Sequence, residues 1–208
     1  MEHQWERLKA WLRAHAPHLL PCLQEGVTDQ ELDDFEWDIG VTLPRDFRAF
    51  YKVHNGEPEL CGGGLIFGLQ LLPLAEIREQ QAAWADLVDM NEEMADSMES
   101  EPEGAIQLLY ANPLWLPFTH DQGGNHLGLD FDPGPKGTPG QVIVFGRDED
   151  RKKLVAPSFA AFLDGVIREL EGGNYVLRDG RLRFAHYPGD PNRDASEVHA
   201  NYVFGAAI

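Results

Sequence analysis

Apolar residues recur at helical spacing from the start of the chain. Trp5, Leu8, Trp11 and Leu12 mark one face of a short amphipathic helix that must end before Pro17. A second helix start is signposted by Thr28 with Glu31 three residues on, the capping-box pattern, and Val27 is placed to staple onto Leu32. Leu32, Phe35 and Ile39 line its inner face until Gly40 stops it. A third helix follows Pro44, with Phe47, Phe50 and Tyr51 inward and Asn55-Gly56 closing it.

Beyond these helices the pattern changes. Gly64 to Leu72 is an apolar run between glycines and Pro73, which predicts one strand or two short ones. Trp84, Leu87, Val88, Met94 and Met98 fall on one stripe, predicting a long helix from about Leu74 to Met98, its methionines filling core. Four strands are predicted after Gly104: Ala105 to Tyr110, Trp115 to Thr119, His126 to Phe131 and Gln141 to Phe145, with Gly123-Gly124 turning the chain between the second and third. Residues 132–140, rich in Pro and Gly, read as a loop. Ser158 caps a helix carrying Phe159, Phe162, Leu163, Ile167 and Leu170 that ends at Gly172-Gly173. Asp179-Gly180 then turns a hairpin between Tyr175–Arg178 and Arg181–Phe184, and the residues from His186 on read as a loosely attached tail. Helices, then strands, then a helix and a hairpin make an α+β domain, without the alternating rhythm of a doubly wound sheet.

Charge narrows the partners. The 208 residues hold 17 Lys and Arg against 35 Asp and Glu, a net charge of −18. That balance opposes binding to phosphate backbones and anionic membranes, and favours basic partners. No stretch is apolar for long enough to span a bilayer, and Met1 to Leu12 lacks the apolar core of a signal peptide, so a cytoplasmic protein is expected. Cys22 and Cys61 are too few for a disulfide framework and read as reduced, partly buried thiols.

The acid is concentrated. Between Glu79 and Pro135 there is no Lys or Arg, while Asp86, Asp89, Glu92, Glu93, Asp96, Glu99, Glu101 and Glu103 crowd one short stretch. On a continuous helix, Asp86, Asp89, Glu93 and Asp96 would form a ridge beside the apolar stripe. Such a ridge is either a solvated face that keeps the chain soluble or a docking surface for a basic partner. A second constellation runs from Trp115 to Asp132. Asp130 and Asp132 are two apart on a strand, Asp121 could approach them, and His120 and His126 are near, a set able to bind a divalent cation; Asp and Asn at turns more commonly bond their own backbone. The search for a nucleophile is negative: Ser158 lacks the Gly-x-Ser-x-Gly elbow, neither cysteine lies in a catalytic signature, and Cys61-Gly62-Gly63-Gly64 leads into Leu65-Ile66-Phe67 instead of a phosphate-binding helix with a Lys.

The order of these segments resembles the SUKH superfamily, and within it the branch named for a fungal regulator of cell-wall assembly and glucan synthesis. The resemblance is carried by Leu32-Asp33-Asp34-Phe35-Glu36, Leu43-Pro44-Arg45-Asp46-Phe47-Arg48-Ala49-Phe50-Tyr51 and His54-Asn55-Gly56. It continues through Trp115-Leu116-Pro117-Phe118, Asp121, Gly124-Asn125, Gly128-Leu129-Asp130, Pro133 to Gly137, Gly140-Gln141-Val142-Ile143, Phe145 to Asp148, Ser158-Phe159 and Phe162-Leu163. It covers roughly Val27 to Tyr175 and implies a single SUKH-like α+β domain, a mixed or largely antiparallel sheet packed against helices, with no established enzymatic activity. Bacterial relatives are associated with immunity to polymorphic toxins; the fungal relatives act as scaffolds or regulators of wall synthesis.

The expectation is therefore residues 1–22 as an N-terminal helical segment, 23–178 as the SUKH-like domain and 179–208 as a hairpin strand and tail. The leading reading is a non-enzymatic immunity-type protein that neutralises a basic toxin, without cofactor, nucleic acid or membrane insertion. The alternative is a regulatory scaffold in wall assembly, and a remote one is a carboxylate metal protein. Candidate partner-binding residues are Asp86, Asp89, Glu92, Glu93, Asp96, Glu99, Asp121 and Lys136. Pro44, Trp115, Gly124, Asn125, Asp130 and Gly140 read as structural.

Overall fold

Trp5 and Trp11 fix the first helix to two others. In the computed structural model, which describes residues 1–58, 61, 64–178 and 180–185, α1 spans Glu2–His15 and buries Trp5, Leu8, Trp11 and Leu12. The Trp5 indole donates to the Phe50 carbonyl at 3.0 Å and the Trp11 indole to the Leu170 carbonyl at 2.8 Å, so the amphipathic face is anchored by hydrogen bonds as well as burial. A 3-10 turn, Pro17–Cys22, leads to α2, Asp29–Ile39. Its capping box is complete: the Thr28 hydroxyl accepts from the Glu31 amide, and Glu31 accepts from the Thr28 amide at 2.7 Å. Gly40 ends it with φ of +73°, a left-handed conformation that costs glycine little.

Helix α3, Arg45–Tyr51, begins after Pro44 and explains much of the family-like motif. Arg48 bonds Glu36 and Asp33 of α2, both at 2.8 Å, with Arg48 and Glu36 largely shielded from solvent. The two oxygens of Asp46 accept from Phe47 and, across the domain, from the Ala160 amide. One carboxylate thus ties the starts of two helices together.

The strands follow. β1, Gln70–Leu71, precedes α4, Leu74–Ala85, and the short α5, Asn91–Met94; next come β2, Glu99–Glu101, β3, Trp115–Pro117, and β4, Thr119–His120. β5, Asn125–Asp130, β6, Gln141–Gly146, and β7, Arg151–Ala156, lead to α6, Phe159–Glu171, whose cap Ser158 accepts from Ala161 as expected. β8, Tyr175–Arg178, and β9, Arg181–Phe184, form the expected antiparallel hairpin. The main sheet has the order β2-β7-β6-β5-β3; it is antiparallel except for β2, which runs parallel to β7. β1 pairs antiparallel with β4.

This sheet is covered on both faces, and β6 shows how. Val142 and Val144 enter the main core with α1, α3 and α6, while Ile143 and Phe145 turn to a second cluster with Trp84, Met98, Ile106, Tyr110 and Trp115. At Gly128 on β5 any β-carbon would lie 2.7 Å from the Leu116 carbonyl and against the Phe145 ring, so glycine allows β3 and β5 to close.

Four expectations are corrected. The long helix breaks at Ala85: residues 86–98 continue as a turn, a 3-10 turn at Val88–Met90, α5 and a second 3-10 turn at Ala95–Ser97. A continuous helix would stack like charges at i,i+3 and i,i+4 and crowd carboxylates at its negative C-terminal end. Ala105 to Tyr110 is not a strand, because its backbone is bonded by side chains instead of a ladder: Ile106 donates to the Ser100 hydroxyl and Tyr110 to the Asn91 side chain. Of the run Gly64 to Leu72 only Gln70–Leu71 pairs as a strand, the rest turning tightly through Phe67 and Gly68. Finally, Cys22 and Cys61 are joined in a disulfide with Cα atoms 5.7 Å apart, because the fold brings the 3-10 turn after α1 against the chain after Glu57. Two strands, β2 and β7, were not expected at all. The tail from His186, and Asp179 of the expected Asp179-Gly180 turn, lie outside the described residues.

Candidate partner-binding surface

The acidic stretch is also the lid on the far face of the sheet. Trp84 at the end of α4 is buried against Tyr110, His126 and Phe145, and Met98 is buried 14 residues later. Between them the chain is largely exposed: Asp86, Asp89, Glu92, Glu93 and Asp96 all face solvent. Asn91 holds this segment down by donating to the Ala111 carbonyl and accepting from the Tyr110 and Ala111 amides, all within 2.9 Å. The carboxylates therefore sit on a clamped stretch of chain.

Glu99 and Glu101 continue the acid along β2, on the edge of the sheet, where Arg151 of β7 bonds Glu99 at 2.6 Å and reaches Glu101 at 4.0 Å. Beside them opens a cleft of about 700 Å³ between Met98–Ser100 and residues 103–109. Its lining is partly apolar, and Leu108 in it is 55% exposed. Val88 and Met90, in the same covering segment, are also large apolar side chains left in solvent.

Asp121 and Lys136 lie apart from one another. Asp121 closes the turn at the start of β5, accepting from the Gly123 amide at 2.7 Å, the Asn125 amide at 2.9 Å and the Asn125 side chain at 2.8 Å. Burial alone would raise its pKa, but these bonds outweigh it and hold the carboxyl below its usual value. Asn125 in turn accepts from the Asp148 amide, locking the β4–β5 and β6–β7 turns together. Lys136 is at the opposite end of the sheet, its amide bonded to the Gly104 carbonyl and its stem over Gly104 beside the cleft.

Asp130 ends β5, far along the strand from Asp121. It accepts from the Gln141 side chain and the Asp132 amide, and burial pushes its pKa up to about 6. Asp121 and Asp130 thus serve separate backbone turns, as Asp and Asn commonly do, while Asp132 shares the turn of Asp130 and its carboxylate accepts from the Asn112 side chain. Among the described residues no group of three or more His, Cys, Asp or Glu is placed to hold a metal ion. His120 and His126 stack at 4.9 Å; His126 is buried, bonded to the Thr119 carbonyl, and burial drives its pKa down to about 4. Of the residues read as structural, Trp115 is fully buried and Gly140 takes φ of +83° while donating to the Asp130 carbonyl.

The cleft residues were missed in the sequence because Leu108-Leu109 read as strand interior. Trp37, 87% exposed on α2, was also missed, although its place two residues after Phe35 puts it off the apolar face.

A family model described as SMI1 / KNR4 family (SUKH-1) matches residues 26–165. The chain is 34% identical to the cell wall biosynthesis/cell cycle regulator smi1 of Schizosaccharomyces pombe, over 90% of this chain and 40% of that protein. It is 34% identical to the glucan synthesis regulatory protein of Neurospora crassa, over 83% and 39% of the two chains, and 31% identical to the cell wall assembly regulator SMI1 of Saccharomyces cerevisiae, over 84% and 41%. The chain spans about 40% of the length of these curated relatives. The relatives are named as regulators, and no helix among the described residues is long and apolar enough to cross a membrane.

Proposed function

The chain belongs to the SMI1/KNR4 family (SUKH-1), and from that premise we propose that it is a non-enzymatic protein-binding module with a regulatory role, of the kind its relatives' names attach to cell-wall assembly and glucan synthesis. The observation that carries the binding surface is the clamped, solvent-facing run of carboxylates from Asp86 to Asp96. A field of that sign attracts basic partners and speeds their encounter. The toxin-immunity reading draws on the same surface and differs in the partner, one basic toxin domain bound tightly instead of several regulatory proteins bound modestly. The names of the relatives favour the regulatory role.

The test is affinity capture from lysate of the source organism with the intact chain and with the variant D86N/D89N/E92Q/E93Q/D96N, at low and moderate salt. Wall-synthesis or signalling proteins retained by the first and lost by the second support the proposal. One stoichiometric toxin partner would establish immunity instead, and identical capture by both chains would remove the acidic surface from the account.

A further inference from the structure

The cleft beside β2 departs from the usual solvated acidic face. Its apolar lining comes from Met98, Ile106, Leu108, Leu109 and Pro135, and it is shared with the polar Glu99, Ser100, Glu103 and Gln107. Met98 and Ile106 are buried members of the second core, so that part of the lining is fixed. Leu108 projects from it with 55% of its surface in water. Ser100 binds the two sides: its hydroxyl donates to the Pro102 carbonyl and accepts from the Ile106 amide.

Charge defines the occupant. Upstream of the cleft lie the carboxylates of Asp86 to Asp96, and no Lys or Arg occurs from Glu79 to Pro135. The cations around it are already engaged or withdrawn: Arg151 bonds Glu99, Lys152, paired with Ser100, is buried with its ammonium on the Glu149 carbonyl, Lys153 pairs with Glu101, and Lys136 lies at the Gly104 edge. A second copy of the chain, at −18, is repelled by the same field. We propose that the cleft seats a large apolar side chain of a basic protein segment, an anchor flanked by Lys or Arg, with the flanks on the Glu103 and Asp86–Asp96 side. This rests on the acidic surface being the docking face, and adds that affinity has an apolar component that salt does not screen.

The test uses two fluorescein-labelled peptides of about twelve residues, both of Lys and Arg spaced by Ser, one with Leu-Phe at its centre and one with Ala-Ala, read by fluorescence anisotropy against the whole chain. Seating one large apolar side chain should make the Leu-Phe peptide bind about 10- to 100-fold tighter. The difference should survive about 0.5 M NaCl, which removes most binding of the Ala-Ala peptide. L108S, a change at an exposed position, should abolish the difference and leave the Ala-Ala peptide's affinity unchanged. Equal affinities for the two peptides, or an undiminished difference in L108S, would overturn the anchor site while leaving the acidic docking face in place. Binding of neither peptide would overturn both. Self-association of the chain lost in L108S, seen by sedimentation, would assign the cleft to a second copy and overturn the basic occupant.

Discussion

The ammonium of Lys152 lies 5.6 Å from the centre of the Tyr110 ring, wholly shut off from solvent, and donates to the Glu149 carbonyl at 2.6 Å. A second ring, Trp115, is 5.9 Å away. A buried cation over two aromatic faces is partly compensated but still costly. Burial lowers its pKa to about 8, against the opposing pull of Asp150 and Glu149.

A pH window follows. Between about pH 8 and 10.5 the unfolded chain keeps the proton that the folded chain has released, so stability should rise with pH there, by up to about 3 kcal/mol in all. Tyr51 and Tyr175, buried with raised pKa values, oppose this above pH 10, so urea midpoints should be compared from pH 8 to 9.5. K152M should lack the rise. A parallel rise in K152M would show that Lys152 is not its source.

Glu57 should act in the opposite sense at lower pH. It is 1% exposed; one carboxylate oxygen accepts from the Leu65 and Leu71 amides, and the other has no hydrogen-bond partner among the described residues. Burial raises its pKa to about 7, so from pH 4.5 to 7 the folded chain holds a proton that the unfolded chain loses, and stability falls as pH rises. Asp130 acts in the same direction up to about pH 6, and His126 opposes both above pH 4. In the difference between E57Q and the parent, those contributions cancel. E57Q should gain on the parent by up to about 3 kcal/mol across the window, and a flat difference would refute the assignment.

The Cys22–Cys61 link closes a span of 39 residues, for which chain-entropy arguments give up to about 4 kcal/mol. Reduction, or the C22A/C61A variant, should lower the urea midpoint accordingly while leaving the far-ultraviolet spectrum unchanged. Alkylation under non-reducing conditions, read by mass spectrometry, reports whether the bond is present in the isolated protein.

Arg48 should be intolerant of truncation. R48A leaves Glu36, which also accepts from the Leu43 amide, without its shielded cation and should cost about 2 kcal/mol in chemical denaturation. R48K, which cannot reach Glu36 and Asp33 with a planar fork, should recover only part of it.

The helical half of the molecule was legible because its signals are local. Trp5, Leu8, Trp11 and Leu12, the Thr28–Glu31 box and the Ser158 cap each speak for a single turn of chain, and each is found in place. The errors fall where distant contacts decide. β7 reads as Arg-Lys-Lys-Leu-Val-Ala, and its inward residue at the second position is a lysine, so alternation could not reveal it. β2 is Glu-Ser-Glu and becomes a strand only through its pairing with β7. Trp84, Val88 and Met98 have helical spacing, yet Trp84 and Met98 are buried while Val88 is exposed. The acidic composition of the candidate surface was visible; the cleft beside it depends on how residues 103–109 fold back and was not.

The covering segment has a further consequence for handling the protein. Ile143, Phe145 and Trp115 are hidden on their side of the sheet by residues between Trp84 and Ala111. A protease cut among the exposed residues 86–97 would loosen that cover and bare a ridge of large apolar side chains. The stretch of chain with the highest density of negative charge is thus also the one whose loss would make the molecule sticky, and clipped preparations should be recognised first by precipitation.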